Sequence, residues 1–138
     1  MAVSVGARVA VVGGHGKTGR AVAAGLRARG GEPVPLGRAD WPDLAGALAG
    51  CDAAYVIAPN MHADEPAYVR DVLTAARAAG VARLVLHSVA DPEAPDLPHH
   101  AGKARAERLV RDSEVAWTIL RPGVYLANID LAPDDLAP

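Results

Sequence analysis

A chain of 138 residues has the length of one ordinary domain, and 51% apolar residues suffice to bury a single core. The formal net charge is only -2, with no block of like charge, and aromatic residues make up 4% with no Phe, so nothing points to nucleic acid or an anionic membrane as partner. One cysteine, Cys51, excludes an intramolecular disulfide and a thiol metal cluster, and it reads as a small buried apolar residue.

In chain order, five short apolar runs alternate with longer Ala/Leu/Val-rich segments. The runs are R-V-A-V-V (8–12), P-V-P-L (33–36), A-A-Y-V-I-A (53–58), L-V-L-H-S (84–88) and W-T-I-L-R (117–121). They are β-rich and do not alternate, as expected of strands covered on both faces. Between them, residues 17–29 read as a helix stopped by Gly30-Gly31. Residues 41–49 follow Asp40 as N-cap, carry Pro42 in the first turn and stop at Gly50. Residues 65–79 show Val69, Val72, Leu73 and Ala76 as one helical stripe, and residues 98–112 form a more polar fourth helix. Strand and helix in regular alternation predict right-handed crossovers and a parallel sheet. We therefore expect one doubly wound α/β domain over 1–138, a Rossmann fold with five strands in the order 3-2-1-4-5 and helices on both faces. In that order the second strand is interior, and Pro33 and Pro35 then require a bulge or a short pairing.

The segment V-V-G-G-H-G-K-T-G-R (11–20) contains G-K-T, the ending of a triphosphate loop. Such a loop needs a glycine five residues before Gly16, and that position is Val11, so the loop is too short. The other reading fits: a strand ends at Val12, glycines stand at 13, 16 and 19, and a helix starts within the loop. Glycine lets the chain turn and lets a pyrophosphate approach the main chain, and the helix start offers free N–H groups and a positive dipole end. At the end of the second strand, where NAD sites use an acid for the ribose hydroxyls, this chain has Arg38. A guanidinium suits a 2′-phosphate, so NADP (NADPH) is favoured over NAD, with Asp40 two residues on as the residue that serves the ribose otherwise.

These residues resemble the NmrA-like proteins, atypical short-chain dehydrogenase/reductases. V-V-G-G-H-G-K-T-G-R matches their opening G-A-T-G-x-x-G-R. Residues 43–59, 75–88 and 117–128 are similar to the family's third, fourth and fifth strand regions, in the right order. The resemblance implies an NAD(P)-binding Rossmann domain with the cofactor across the C-terminal strand ends. It implies that Gly13, His15, Gly16, Lys17 and Thr18 surround the pyrophosphate and that Arg38 faces the adenosine ribose. Ala58 and Pro59 would lie along the adenine and nicotinamide-ribose side, and Ser88, Lys103 and Pro122 would border the nicotinamide.

Two departures stand out. Related reductases carry Tyr-x-x-x-Lys, whereas this stretch is H-H-A-G-K, with His99 at the Tyr position and Lys103 retained. His99 and Lys103 are thus the catalytic candidates, with ordinary carbonyl reduction in doubt and a quinone or similar small acceptor preferred. Lys17 and Lys103 are also the only two lysines. Against the family's length the sequence reads as half an enzyme, a truncated chain or a minimal cofactor-binding version, lacking most of the substrate-binding part. A non-catalytic dinucleotide (redox) sensor that reports to a protein partner is the alternative. No metal is expected: His62 stands alone, and the adjacent His99 and His100 should point apart without a carboxylate frame. The N-terminus lacks the basic start and apolar run of a signal peptide, and no stretch approaches a membrane span, so a cytoplasmic, homo-oligomeric protein is expected.

Overall fold

The computed structural model describes residues 4–94 and 96–125. The five strands are β1 (Arg8–Val12), β2 (Glu32–Leu36), β3 (Ala53–Val56), β4 (Arg83–His87) and β5 (Ala116–Leu120). The helices are α1 (Lys17–Ala28), α2 (Leu44–Leu48), α3 (Glu65–Ala79) and α4 (Pro98–Arg111), and a 3-10 turn, Arg38–Asp43, precedes α2. Each expected element is present within a few residues, except that the helix expected at 41–49 splits into that turn and the short α2. Asp43 caps α2 by accepting from the Gly46 N–H at 3.0 Å, and Asp64 caps α3 by accepting from Ala67 at the same distance. Gly80, with φ 72°, ends α3 in the left-handed conformation that glycine adopts at least cost.

All strand pairs are parallel, and the fold is the expected doubly wound α/β sheet. The strand order is β2-β1-β3-β4-β5, which corrects the expected 3-2-1-4-5. After β2 the chain crosses back over β1, and β3 pairs on β1's other side. That leaves β2 at an edge. Within β2, Glu32 donates to Ala7 O and Leu36 O accepts from Gly13, so residues 32, 34 and 36 turn their backbone groups toward β1. By alternation Pro33 and Pro35 face the open side, where a missing N–H costs nothing. The prolines therefore need no bulge.

The main core lies on one face of the sheet. Ala10, Val12, Ala54, Val56, Leu84 and Leu86 pack there against Leu44 and Leu48 of α2, Val69, Val72 and Ala76 of α3, and Ala106 and Val110 of α4. Helix α1 covers β1 and β2 from the opposite face, with Ala23 buried. Cys51 is buried in the core as expected, and burial pushes its thiol pKa up. Among the described residues, no helix is long and apolar enough to cross a membrane.

Candidate cofactor site

The loop after β1 is built on close backbone contacts. Gly13, with φ 82°, and Gly14 both donate to Leu36 O at 3.0 Å. A Cβ on Gly13 would lie 2.5 Å from Ile57 O, and one on Gly14 would lie 2.7 Å from Pro35 Cα. A Cβ on Gly19 would collide with the Gly13 carbonyl oxygen. These three glycines are accounted for by the loop's own packing. Gly16 is different. Its backbone is extended (φ -74°, ψ 172°), and its nearest neighbour to a Cβ is Gly13 O at 3.6 Å, an ordinary contact.

Gly16 is also the N-cap of α1, with no side-chain cap and no acid in the first turn. The first N–H groups of a helix have no intrahelical acceptor, and here they carry the helix's positive end undiluted. A diphosphate fits this donor set, and Gly16 puts no side chain beside it. His15 is exposed and lies against the end of β2: a Cβ on Gly37 would meet its Cδ2 at 2.6 Å. Lys17 is exposed and Thr18 half-buried on the first turn.

At the end of β2, Asp40 is already engaged, accepting from the Gly37 N–H at 2.7 Å. Arg38 is exposed and makes no ion pair or side-chain hydrogen bond among the described residues. Ala58, buried, and Pro59, exposed, follow β3. Ser88 follows β4, and Pro122 lies just beyond β5. All these positions stand at the C-terminal edge of one parallel sheet, the edge where open α/β sheets bind ligands.

The Ser88 hydroxyl is turned inward. It is buried and donates to Glu107 Oε1 at 2.6 Å. Glu107, fully buried on α4, also accepts from Arg121 (Nε 2.9 Å, Nη2 2.6 Å) and from Arg111 (2.7 Å). Burial alone would raise this carboxyl's pKa, but the hydrogen bonds from Arg121, Ser88 and Arg111 together outweigh it and hold the pKa below the ordinary value. The Pro122 carbonyl accepts from the Ala90 N–H at 2.8 Å, so the loops after β4 and β5 are tied together.

Lys103 faces α3, not solvent. Its Nζ donates to both oxygens of Glu65, at 2.9 and 3.1 Å, and Glu65 is only 5% exposed. His99 is exposed. Its ring packs edge-on against His100, with centroids 4.4 Å apart, which corrects the expectation that the two side chains point apart. His100 is buried and its Nδ1 bonds the Asp91 carbonyl at 2.8 Å. His62 accepts from the Asp64 N–H at 3.1 Å and packs on Tyr68.

The sequence did not reveal Glu107 or the pairing of Lys103 with Glu65. The signal for Glu107 was its place on the stripe His100, Ala104, Glu107, Val110, four and three residues apart on the face α4 buries. Nor did the sequence reveal an array on the other side of β3 and β4: Tyr55 OH lies 2.8 Å from His87 Nδ1, and His87 Nε2 lies 2.5 Å from Tyr125 OH.

Comparison with known proteins agrees with this fold. A family model described as NAD(P)H-binding matches residues 32–130. A curated (4-alkanoyl-5-oxo-2,5-dihydrofuran-3-yl)methyl phosphate reductase from Streptomyces griseus is 36% identical over 105 residues, 75% of this chain and 36% of that protein. An NADPH-dependent quinone oxidoreductase from Escherichia coli, solved with NADPH, aligns at TM-score 0.70 and 23% identity, covering 90% of this chain and 52% of the other. A triphenylmethane reductase from Citrobacter sp., solved with NADP(H), aligns at TM-score 0.73 and 22% identity, covering 88% and 51%. At such identities the solved structures show a shared fold, and this chain spans about half their length. The family match covers β2 to β5, well over half of the chain, and shows that the chain belongs to the NAD(P)H-binding family.

Proposed function

We propose that this chain is the NADPH-binding domain of an oxidoreductase whose acceptor is a quinone or a similar conjugated carbonyl compound. The observation that carries the cofactor choice is the pairing at the end of β2: Asp40 is spent on the Gly37 N–H, and Arg38 is left exposed without a partner among the described residues. A ribose hydroxyl would want the carboxylate, and a 2′-phosphate wants the guanidinium. Gly16, Lys17 and Thr18, beside Gly13 and His15, would hold the pyrophosphate. Ala58 and Pro59 would flank the adenine and ribose, and Ser88, Lys103 and Pro122 would border the nicotinamide. The cofactor supplies a hydride when bound.

The acceptor class rests on two supports. The stretch H-H-A-G-K puts His99 where related reductases carry a Tyr acid, so an acceptor that tolerates a weak acid is favoured. Two similar proteins are reductases of a quinone and of an acyl dihydrofuranone, both carbonyl-conjugated hydride acceptors. The test is calorimetry with NADPH and NADH, then turnover with a panel of quinones and carbonyls. A charge-assisted hydrogen bond contributes about 1.5–3 kcal/mol, so NADPH should bind roughly 10- to 100-fold more tightly than NADH. Arg38→Glu should abolish that difference. Equal affinities in the parent protein would overturn the NADP reading, and NADPH binding without turnover of any acceptor would overturn the reductase reading.

A further inference from the structure

We propose that Tyr55, His87 and Tyr125 form a polarised hydrogen-bond chain that presents the Tyr125 hydroxyl as a donor to a carbonyl oxygen of the acceptor. The proposal rests on the reductase reading above and adds a recognition site to it. The three residues lie at the C-terminal part of the sheet, on the face that α3 and α4 do not cover. Tyr55 is one residue before the end of β3, His87 ends β4 directly before Ser88, and Tyr125 is three residues past Pro122.

The direction of the chain follows from counting protons. Tyr55 OH has one hydrogen-bond partner among the described residues, His87 Nδ1 at 2.8 Å. It is half-buried. If Nδ1 carried the proton, the Tyr55 hydroxyl hydrogen would be left without an acceptor among them. If Tyr55 donates to Nδ1, the proton of the neutral ring sits on Nε2 and is donated to the Tyr125 oxygen, 2.5 Å away. Tyr125's own hydrogen then has nowhere to go within the array. Tyr125 is 42% exposed, which leaves its hydroxyl room to donate to a molecule outside the array. Burial, and secondarily the charge of Lys103, lowers the His87 pKa, which keeps the ring neutral. Burial raises the Tyr55 pKa, which keeps the phenol protonated.

A fixed donor suits one kind of partner. When a conjugated carbonyl accepts a hydride at carbon, a carbon–hydrogen bond forms and the π-electron pair moves onto the carbonyl oxygen. A preoriented O–H at that oxygen stabilises the charge as it develops. The oxygen then takes its proton from water, and the array ends the cycle unchanged. Tyr125 is the group that touches the acceptor, while His87 and Tyr55 are positioning residues.

Two measurements test this. Nitrogen NMR of imidazole-labelled protein should find His87 protonated on Nε2 and not on Nδ1 at neutral pH. Duroquinone binding to the NADP⁺-loaded protein, followed by tryptophan fluorescence, should weaken about 3- to 10-fold in Tyr125→Phe and in His87→Phe. His87→Gln can still accept from Tyr55 and donate to Tyr125, and should restore the parent affinity. NADP⁺ affinity should not change in any of the three variants. An Nδ1-protonated ring, parent-like duroquinone affinity in Tyr125→Phe, or no duroquinone binding by the parent would each overturn the proposal. Failure of the cofactor itself to bind is a separate result: it would sink the oxidoreductase reading, while the ring's tautomer would still be read directly by NMR.

Discussion

At the scale of single residues, the glycine loop separates two reasons for the same residue type. Gly13, Gly14 and Gly19 are glycines because neighbouring backbone leaves no room for a Cβ, whereas Gly16 has room. The two kinds should respond oppositely to alanine. Gly19→Ala should destabilise the fold by about 1–3 kcal/mol, as overpacking does. Gly16→Ala should cost less than about 1 kcal/mol, the scale of a poorer N-cap. It should nevertheless weaken NADPH binding by more than about tenfold, since the methyl group occupies the phosphate's place. Thermal melts and calorimetry on the two variants check this, and a Gly16→Ala protein that binds NADPH normally would mean that no diphosphate approaches there. The triplet's spacing was legible in the sequence because it follows from where a strand stops and a helix starts. Which glycines the loop's own packing requires was not, since for Gly13 and Gly14 that depends on Ile57 and Pro35, distant in sequence. Lys103 teaches the same point. Its retention suggested a place beside the nicotinamide, yet its bidentate pairing with buried Glu65 already gives it a structural role.

At the scale of elements, apolar runs and helical stripes located every strand and helix, because periodicity is local. Strand order is not local, and the expected 3-2-1-4-5 became 2-1-3-4-5. The sequence did hold the deciding signal. Two prolines two residues apart put both missing N–H groups on one side of β2, and no strand can pair there fully. The joint between α4 and the loops after β4 and β5 is a second matter of elements, and it makes stability depend on pH. Glu107 titrates lower in the folded chain than its ordinary 4.5. The folded state therefore binds that proton less readily than the unfolded state. The stabilisation is complete above pH ~4.5 and is lost as pH falls through the depressed folded value. Glu107→Gln should flatten the acid limb of a urea-midpoint profile. Glu107→Ala should cost about 3 kcal/mol at pH 7, the low end for breaking a buried pair, because Arg111 and Arg121 reach solvent. Parallel acid limbs in the parent and Glu107→Gln would show that other carboxyls govern the transition.

At the scale of the whole molecule, the two edges of the sheet are unlike. The β2 edge offers no N–H at Pro33 or Pro35. On β5, Leu120 O accepts from Ser88, so residues 116, 118 and 120 face β4, and Trp117 and Ile119 turn their backbone groups to the open side. Trp117, Leu120, Val124 and Tyr125 are large side chains exposed along the same strand and the loop after it. Residues 126–138, including the tail N-I-D-L-A-P-D-D-L-A-P from Asn128 on, lie outside the described residues. An edge left unpaired among the described residues, with apolar neighbours, favours pairing with another strand, and a second copy offers an identical one. We expect this chain to be a dimer or larger at tens of micromolar, joined through β5. Trp117→Pro tests the edge and not merely the state. Proline is tolerated on an edge strand where its missing N–H faces outward, so the fold should survive with its circular dichroism intact. The substitution also removes the exposed indole and one of the free donors, so light scattering should report a monomer. A parent protein that is already monomeric at that concentration would refute the interface, and a Trp117→Pro protein that stays dimeric would place it elsewhere than β5.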